Sequence, residues 1–351
     1  MSSTNAFEVH GKTAIITGGS SGLGCAVALQ LASKGANVVI IARHQAKLIE
    51  ALAHVKKGAI NPETQRFHQI SADLTIVSEA VRVVNEVVLW NSGNPPDIVW
   101  CCAGSSHPTL FIDTPVTEFS AQMQNNYFTS LYMSHAILKC WLQGSRENPA
   151  TTSTPSSDKP IKKPGTPSNF PHHSRHLIFT ASFLAFYSFA GYSSYSPTKA
   201  ALRSLSDSLS QEMNLYSAAY PEQPRVRIHT IFPAGILTEG FEAENRIKSD
   251  LTKLLEEGDK PETPEVIAQR SIKGLESGQE LIATDFQTGL VKRSMLGGSV
   301  RGGFIRGLGD CILASLLVIV MTFVRGDMDK KVHSWGRKFG ITGMKGGQAT
   351  T

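Results

Sequence analysis

Short apolar runs rich in β-branched residues alternate with longer helical patterns along this chain, and this alternation limits the fold more than any other feature. The predicted strands cover 13–17, 37–42, 66–70, 97–102, 176–182, 225–232 and 280–284. The predicted helices cover 23–34, 45–57, 76–91, 117–143, 193–216 and 263–276. Strands without in/out alternation that are separated by helices indicate a parallel sheet covered on both faces. The sequence therefore predicts an α/β fold with a doubly wound parallel sheet.

The composition changes twice, and these changes divide the chain into regions. Residues 144–175 are rich in Ser, Thr, Pro and Lys and have almost no large apolar side chains. Such a segment cannot bury enough surface to order itself, so we expect a disordered insertion in a surface loop. The character changes again after residue 290. We therefore predict a single folded domain over 1–290 and a C-terminal tail over 291–351.

The tail contains one strongly apolar segment, "CILASLLVIVMTFV" at 311–324, which has no charged residue. Its fourteen residues fall short of the ~20 that a spanning helix needs. Basic residues flank it on both sides, which argues against a single crossing. We therefore expect membrane association through 311–324, as a re-entrant or interfacial helix with both ends facing the cytoplasm and its anionic lipids. A core helix or a dimer-interface helix is the alternative.

Charge and cysteine content argue against several other classes of protein. The 351 residues carry 34 Lys and Arg against 29 Asp and Glu, a net charge of +5. The basic residues form no long run and lack an aromatic-rich basic motif, so we expect no nucleic-acid binding. The five cysteines lack Cys-x-x-Cys spacing, so we expect neither a disulfide framework nor a metal site. The short polar N-terminal stretch predicts no signal peptide.

A glycine-rich stretch, "TGGSSGLG" at 17–24, lies between the first predicted strand and the first predicted helix. Gly18, Gly22 and Gly24 would let the backbone approach a pyrophosphate closely, and the helix N-terminus would supply N–H groups and a positive dipole end. In a βαβ unit, this pattern is typical of a Rossmann-like dinucleotide site.

The end of the second strand predicts which dinucleotide binds. An acidic residue there would bind the ribose hydroxyls of NAD and repel a 2′-phosphate. This chain has Ala42 and then Arg43, and an arginine can pair with the 2′-phosphate of NADP. Ser20 and Ser21 offer hydroxyl donors nearby, so we predict NADPH as the cofactor. Asp73 follows the third strand, where it could meet the adenine edge, cap the next helix, or do both.

A phenol and an ammonium lie one helical turn apart in "GYSSYSPTKA" at 191–200. Tyr195 and Lys199 would share one face of a helix that begins here. A nearby fixed positive charge stabilises a phenolate, so we expect the pKa of Tyr195 to fall toward neutrality. Such a phenol can donate or accept a proton at working pH. The alternative is an ordinary surface tyrosine beside a surface lysine.

Together these motifs resemble the short-chain dehydrogenase/reductase superfamily over about residues 10–240. The resemblance is carried by "TGGSSGLG", "CCAG" (101–104), "FPAGILT" (232–238), Asn126, Ser182, Tyr195 and Lys199. It implies that Tyr195 is the general acid, and that Lys199 lowers its pKa and holds the ribose. It also implies that Ser182 hydrogen-bonds the substrate carbonyl and that Asn126 anchors a water in a proton relay.

Some positions have rivals or depart from the family pattern. Tyr192 and Asn125 are alternatives for two of the catalytic positions. We prefer the later residue of each pair, the tyrosine because a lysine follows it by four residues and the asparagine because of the family's spacing. Cys101 and Cys102 replace a usual pair of asparagines, which puts the local bracing of the sheet in doubt. Ala234 stands where the family's Pro-Gly loop usually has its glycine.

The C-terminal part narrows the resemblance to the 3-ketodihydrosphingosine reductases. It rests on 239–252, on "ETPEVIA" (262–268) and on the apolar tail segment. The resemblance implies NADPH-dependent reduction of the 3-keto group of a sphingoid base at the cytosolic face of the endoplasmic reticulum membrane. A microsomal reductase of a steroid, retinoid or fatty-acyl ketone is the alternative, and a non-catalytic NADPH-binding scaffold is a second. The long predicted helices 117–143 and 193–216 could pair in a homodimer.

Overall fold

The computed structural model describes residues 5–143, 174–295, 304–339 and 344–345. Among these residues, seven strands form one sheet, and they run over Thr13–Thr17 (β1), Asn37–Ala42 (β2), Phe67–Ser71 (β3), Ile98–Cys101 (β4), Arg175–Thr180 (β5), Val226–Phe232 (β6) and Leu281–Ala283 (β7). The predicted strands are confirmed to within two residues at each end. The predicted insertion over 144–175 lies almost wholly outside the described residues. Its predicted C-terminal boundary is wrong, because Arg175 begins β5.

All strand pairs in the sheet are parallel, and the strand order is β3-β2-β1-β4-β5-β6-β7. β1 pairs with β2 on one side and with β4 on the other, so Ile15 lies opposite both Val39 and Val99. The chain therefore winds outward from β1 in both directions. In such sheets a crevice opens outside the carboxyl ends of the two strands at the reversal point.

Helices cover both faces of this sheet. In the part of the chain that the structure describes, they run over Gly22–Ala32 (α1), Gln45–Lys56 (α2), Val77–Trp90 (α3), Val116–Met123 (α4), Thr129–Gln143 (α5), Ser196–Ala219 (α6), Glu239–Ile247 (α7), Asp250–Leu255 (α8), Pro264–Glu276 (α9), Phe286–Ser294 (α10) and Phe304–Phe339 (α11). The doubly wound α/β prediction is confirmed. The predicted helix over 117–143 is divided by a π-helical turn, Gln124–Phe128.

Side chains of each central strand point alternately into two apolar layers. In β1, Ile16 packs in the layer that contains Leu31 of α1 and Leu275 of α9. Its neighbour Ile15 packs in the layer that contains Met133 of α5. Because both faces of the sheet are buried, the strands need no polar alternation, which explains their continuous apolar sequence.

The helix that follows β5 begins later than its sequence pattern predicted. Tyr195 occupies the N-cap position, and Pro197 lies in the first turn of α6. Proline suits that position because its missing N–H would have no helical acceptor there. This start places Tyr195 at the helix entrance and Lys199 one turn inside it.

The apolar tail segment lies inside a much longer helix than its uncharged run suggested. α11 contains 36 residues, and its portion Gly307–Gly336 is long and apolar enough to cross a membrane. The argument that the segment is too short to span is therefore wrong, because the helix continues through the charges that bound 311–324.

Candidate active site

In the turn after β1, Gly18 and Gly24 are packed too tightly to accept side chains. Gly18 has a φ of +65°, and a Cβ added to it would lie 2.9 Å from the backbone of Ala103. A Cβ on Gly24 would lie 2.3 Å from the carbonyl oxygen of Gly18. The turn thus sets the start of α1 directly against the carboxyl ends of β1 and β4, where its N–H groups can face an anion.

The segment after β4 is braced without the asparagines that the family resemblance led us to expect. The hydroxyl of Thr17 accepts hydrogen bonds from the backbone N–H groups of Cys102 at 3.1 Å and Ala103 at 3.2 Å. The indole N–H of Trp100 donates to the Thr180 hydroxyl at 3.1 Å, which ties β4 to β5. Burial raises the pKa of the Cys102 thiol to about 12, so it stays neutral.

The residues predicted to select the dinucleotide lie together at one end of a cleft. Arg43 follows β2 with its side chain exposed, and it lines this cleft with Ser20 and Ser21. Within the described residues, no hydrogen bond or salt bridge holds the guanidinium of Arg43. Its charge is therefore free to meet an anionic ligand.

Asp73 lies at the same end, and its carboxylate is already hydrogen-bonded. One oxygen accepts from the backbone N–H of Thr75 at 3.0 Å and from its hydroxyl at 2.7 Å. These hydrogen bonds lower the pKa of Asp73. The carboxylate closes the turn before α3 rather than capping the helix, whose N-cap is Ile76. The adenine contact stays a prediction.

Asn126 is fully buried in the π-helical turn and holds the loop after β4. Its side-chain oxygen accepts from the N–H of Ser105 at 3.0 Å, and its amide donates to the carbonyl of Ser105 at 2.9 Å and to Gln122 at 3.0 Å. Asn125, the rival residue, is the one that lines the cleft. π-turns inside α-helices frequently occur at functional sites, and the water-anchoring role of Asn126 stays a prediction.

Ser182, Tyr195 and Lys199 meet where β5 ends and α6 begins. The Ser182 hydroxyl accepts from the N–H of Leu184 at 3.2 Å and shares a hydrogen bond with the Tyr195 hydroxyl. The Lys199 ammonium is buried, donates to the carbonyl of Thr180 at 3.0 Å, and lies 5.4 Å from the centre of the Tyr195 ring. The three predicted catalytic side chains are therefore brought together on one wall.

The prediction that the pKa of Tyr195 is lowered is wrong. Burial, with a smaller contribution from Glu244, raises the pKa of Tyr195, and the hydrogen bond with Ser182 only partly opposes this. Burial also lowers the pKa of Lys199 to about 8. The sequence argument counted the positive charge of the lysine but not the loss of water around both groups. A raised pKa keeps Tyr195 protonated, as a proton donor must be.

One cleft of about 1030 Å³ joins the glycine turn to the tyrosine. Of the eleven predicted site residues, only Asn126 does not line this cleft. The ten that line it are Gly18, Ser20, Ser21, Gly22, Gly24, Arg43, Asp73, Ser182, Tyr195 and Lys199. The rival Tyr192 also lines it, but the hydroxyl of Tyr192 is hydrogen-bonded to the carboxylate of Glu256. Because a carboxylate already engages the hydroxyl of Tyr192, we favour Tyr195 as the reacting phenol.

Sequence reasoning missed several residues of this site. Thr180 orients Lys199 through its backbone carbonyl, and Ser105 is the residue that Asn126 holds. The position of Thr180 at a strand end, two residues before Ser182, was the available signal. Glu244 lines the cleft near Tyr195, and no motif in the sequence marks it.

Comparison with known proteins identifies the family of this chain. Residues 12–161 match the family model described as short chain dehydrogenase. The 3-ketodihydrosphingosine reductase ksrA of Aspergillus fumigatus is 47% identical over 345 residues, covering 96% of this chain and 88% of that protein. The chain belongs to the short-chain dehydrogenase/reductase family. The 3-ketodihydrosphingosine reductase gsl-3 of Neurospora crassa is 39% identical and covers 97% of this chain and 86% of its own length.

Solved structures of this oxidoreductase family share the fold. A short-chain type dehydrogenase/reductase from Mycobacterium ulcerans superposes with a TM-score of 0.60 at 20% identity, covering 79% of this chain and 89% of that one. A dehydrogenase/reductase from Sinorhizobium meliloti gives 0.57 at 20% identity, covering 80% and 96%. The Rossmann-like fold implies a nicotinamide dinucleotide cofactor. The glycine positions of the turn, where a Cβ would clash, and the free guanidinium of Arg43 fit such a group.

Proposed function

We propose that this protein reduces the 3-keto group of 3-ketodihydrosphingosine to dihydrosphingosine with NADPH, a step of sphingolipid biosynthesis. One observation carries the proposal. Ser182, Tyr195 and Lys199 meet in a cleft that begins at a dinucleotide-type glycine turn, in a chain that is 47% identical along 96% of its length to a reductase of that name.

Each side chain of the site has a separate role in the proposed reaction. When bound, NADPH supplies the hydride that adds to the ketone carbon. Tyr195 donates its proton to the ketone oxygen, and the Ser182 hydroxyl hydrogen-bonds the same oxygen as negative charge develops there. Lys199 holds the ribose, and Asn126 anchors a water that returns a proton toward the tyrosine.

The cofactor end of the cleft supports NADPH rather than NADH. No acidic residue follows β2, and the exposed guanidinium of Arg43 can pair with a 2′-phosphate. Ser20 and Ser21 line the same end and can donate hydroxyl hydrogen bonds. The glycines at 18, 22 and 24 leave room for the pyrophosphate, and Asp73 meets the adenine edge.

The proposed reaction is tested by purifying the full chain in detergent micelles and following NADPH oxidation. We expect turnover with 3-ketodihydrosphingosine and formation of dihydrosphingosine, confirmed by mass spectrometry. A steroid ketone, a retinoid and a fatty-acyl ketone serve as comparison substrates. A kcat/KM for any of these that exceeds the value for the sphingoid ketone would reject the substrate assignment while leaving the reductase chemistry intact.

Arg43→Ala tests the cofactor preference. We expect the variant to raise KM for NADPH about 10-fold or more, because a charge-assisted phosphate contact is lost. KM for NADH should change less than about twofold, because NADH lacks the 2′-phosphate. Lys47→Ala is the matched control, since this cation lines the same cleft but pairs with Glu239. Equal KM changes for both cofactors in Arg43→Ala would contradict the assignment.

Helix α11 packs along the folded domain. Asp310 near its start pairs with Arg293 at 3.2 Å. Met321 and Tyr187 both pack against an apolar cluster that includes Phe186. The Tyr187 hydroxyl contacts the sulfur of Met328 at 2.9 Å. The contacts at Asp310 and Met328 lie about 27 Å apart along the helix. These contacts favour a position of α11 along the domain over a crossing of the bilayer.

We propose that α11 associates with the membrane by lying in its surface. Apolar side chains spaced three or four residues apart are exposed on it, and these are Leu308, Ile312, Leu316, Ile319, Val320 and Phe323. Basic residues before and after the segment 311–324 would meet anionic lipid heads. A single-chain lipid substrate partitions into the same surface, so this position brings the enzyme to its substrate.

Vesicle flotation tests this association. Phe323→Asp should weaken binding to vesicles of phosphatidylcholine and phosphatidylserine about tenfold or more, because one buried apolar side chain is lost and a charge is introduced. Leu89→Asp is the matched control, because Leu89 is 79% exposed on α3, against 75% for Phe323 on α11. If both variants floated like the wild type, membrane association through α11 would be wrong.

The cellular setting follows as part of the same proposal. We place the protein on the endoplasmic reticulum membrane, with the short-chain reductase domain 1–290 facing the cytosol and the tail 291–351 as the membrane-associating region. A homodimer through α4, α5 and α6 is also part of the proposal, supported by exposed apolar side chains at Val116 and Leu215.

A further inference from the structure

A carboxylate on the cleft wall has no role in the reaction as described so far. Glu244 lies on α7, whose N-terminus is capped by Thr238. Its half-buried side chain lines the same cleft as Ser182 and Tyr195. Its charge acts on both Tyr195 and Lys199. Glu244 therefore lies within electrostatic reach of the reacting atoms.

The neighbouring charged and polar groups are already engaged with other partners. The buried ammonium of Lys248 donates to the carboxylate of Glu256 at 2.8 Å, and the hydroxyl of Tyr192 donates to that same carboxylate. Lys199 donates to a backbone carbonyl of β5. Across the described ranges, no hydrogen bond or salt bridge engages the carboxylate of Glu244.

Holding an unpartnered carboxylate here costs folding stability. Burial raises the pKa of Glu244 to about 7 from the ordinary 4.5, the charge of Glu256 adds to the rise, and Lys248 and Lys199 oppose it. A carboxyl whose pKa is higher in the folded than in the unfolded state destabilises the fold increasingly as pH rises between those two values. A cation bound beside it would remove that cost.

We propose that Glu244 binds the ammonium group of the substrate and thereby selects an amino ketone. This inference rests on the proposed function, because 3-ketodihydrosphingosine carries its amine on the carbon next to the ketone. When the ketone oxygen meets Tyr195 and Ser182, the ammonium lies one carbon away from the reacting centre. Neutral steroid, retinoid and fatty-acyl ketones lack this charge, so Glu244 favours the sphingoid base over them.

Two other acidic groups of the cleft, Glu256 and Asp259, are less suited to this role. Glu256 already accepts from Lys248 and Tyr192. Asp259 also lines the cleft, but the charges that act on it are those of Glu256, Lys248 and Asp285. Asp259 is not among the charges that act on Tyr195, whereas Glu244 is. The phosphates of a nicotinamide dinucleotide are negative, so this carboxylate repels them and cannot serve as their binding partner.

The test compares two substrates and three proteins in detergent micelles with NADPH. The substrates are 3-ketodihydrosphingosine and the hydroxy ketone of equal chain length that lacks the amine. The proteins are the wild type, Glu244→Gln and the control Glu242→Gln. Glu242 lies on the same helix but is exposed and outside the cleft. The readout is the ratio of kcat/KM for the amine to kcat/KM for the neutral ketone, which does not depend on the folded fraction.

In Glu244→Gln we expect this ratio to fall about 10- to 100-fold, because a charge-assisted contact is lost. The loss should come mainly from KM for the amine, and Glu242→Gln should keep the wild-type ratio. An unchanged ratio in Glu244→Gln, with the wild type active on the amine, would overturn this inference alone. A wild type that reduces the neutral ketone but not the amine would overturn the proposed function and this inference with it.

Thermal unfolding adds a readout that requires no turnover. Glu244→Gln should melt at a higher temperature than the wild type at about pH 8, and at nearly the same temperature at about pH 3, where the carboxyl is largely protonated in both states. Adding dihydrosphingosine, the amine product, should stabilise the wild type more than the variant. Equal stabilisation of both proteins by the product would count against an ammonium site at Glu244.

Discussion

The parallel pairing of β1 with both β2 and β4 is the constraint on which the rest of the structure depends. Because parallel strands place all their carboxyl ends at one edge, the glycine turn after β1, Arg43 after β2 and Ser182 after β5 come to the same cleft. Thr17 fixes this edge by accepting two backbone N–H groups from the segment after β4. Residues that are distant in sequence thus line one cleft at this edge of the sheet.

The site also shows a conflict between stability and function. Lys199 is a buried and Glu244 a half-buried charged group of the cleft wall. Burial shifts the pKa of each toward its neutral form. Protein interiors tolerate such groups when a partner compensates them. Here the carbonyl of Thr180 accepts a hydrogen bond from Lys199, and the ammonium of the proposed substrate would pair with Glu244. The folded state thus loses stability at the place where an amino ketone and a cofactor are expected to bind.

Much of this architecture follows from the sequence, because strand and helix patterns are local. The glycine turn, the residue after β2 and the Tyr195–Lys199 pair were all predicted, and the structure places them in one cleft. Other features were not predicted. The π-turn around Asn126 depends on how α4 and α5 pack, the raised pKa of Tyr195 depends on burial, and Glu244 becomes a site residue only through the placement of α7. The length of α11 was missed because charged residues were taken as its ends.

The most direct test of the account is to measure NADPH binding and turnover separately in Tyr195→Phe. The variant keeps the aromatic ring and removes only the hydroxyl that hydrogen-bonds Ser182. The account predicts that Kd for NADPH, measured by the cofactor's fluorescence, stays within about twofold, since the lost hydroxyl does not hold the phosphates, whereas turnover of 3-ketodihydrosphingosine falls at least about 100-fold because the proton donor is gone. Turnover equal to the wild type would contradict the assignment of Tyr195 as the general acid, and with it the proposed chemistry of the cleft.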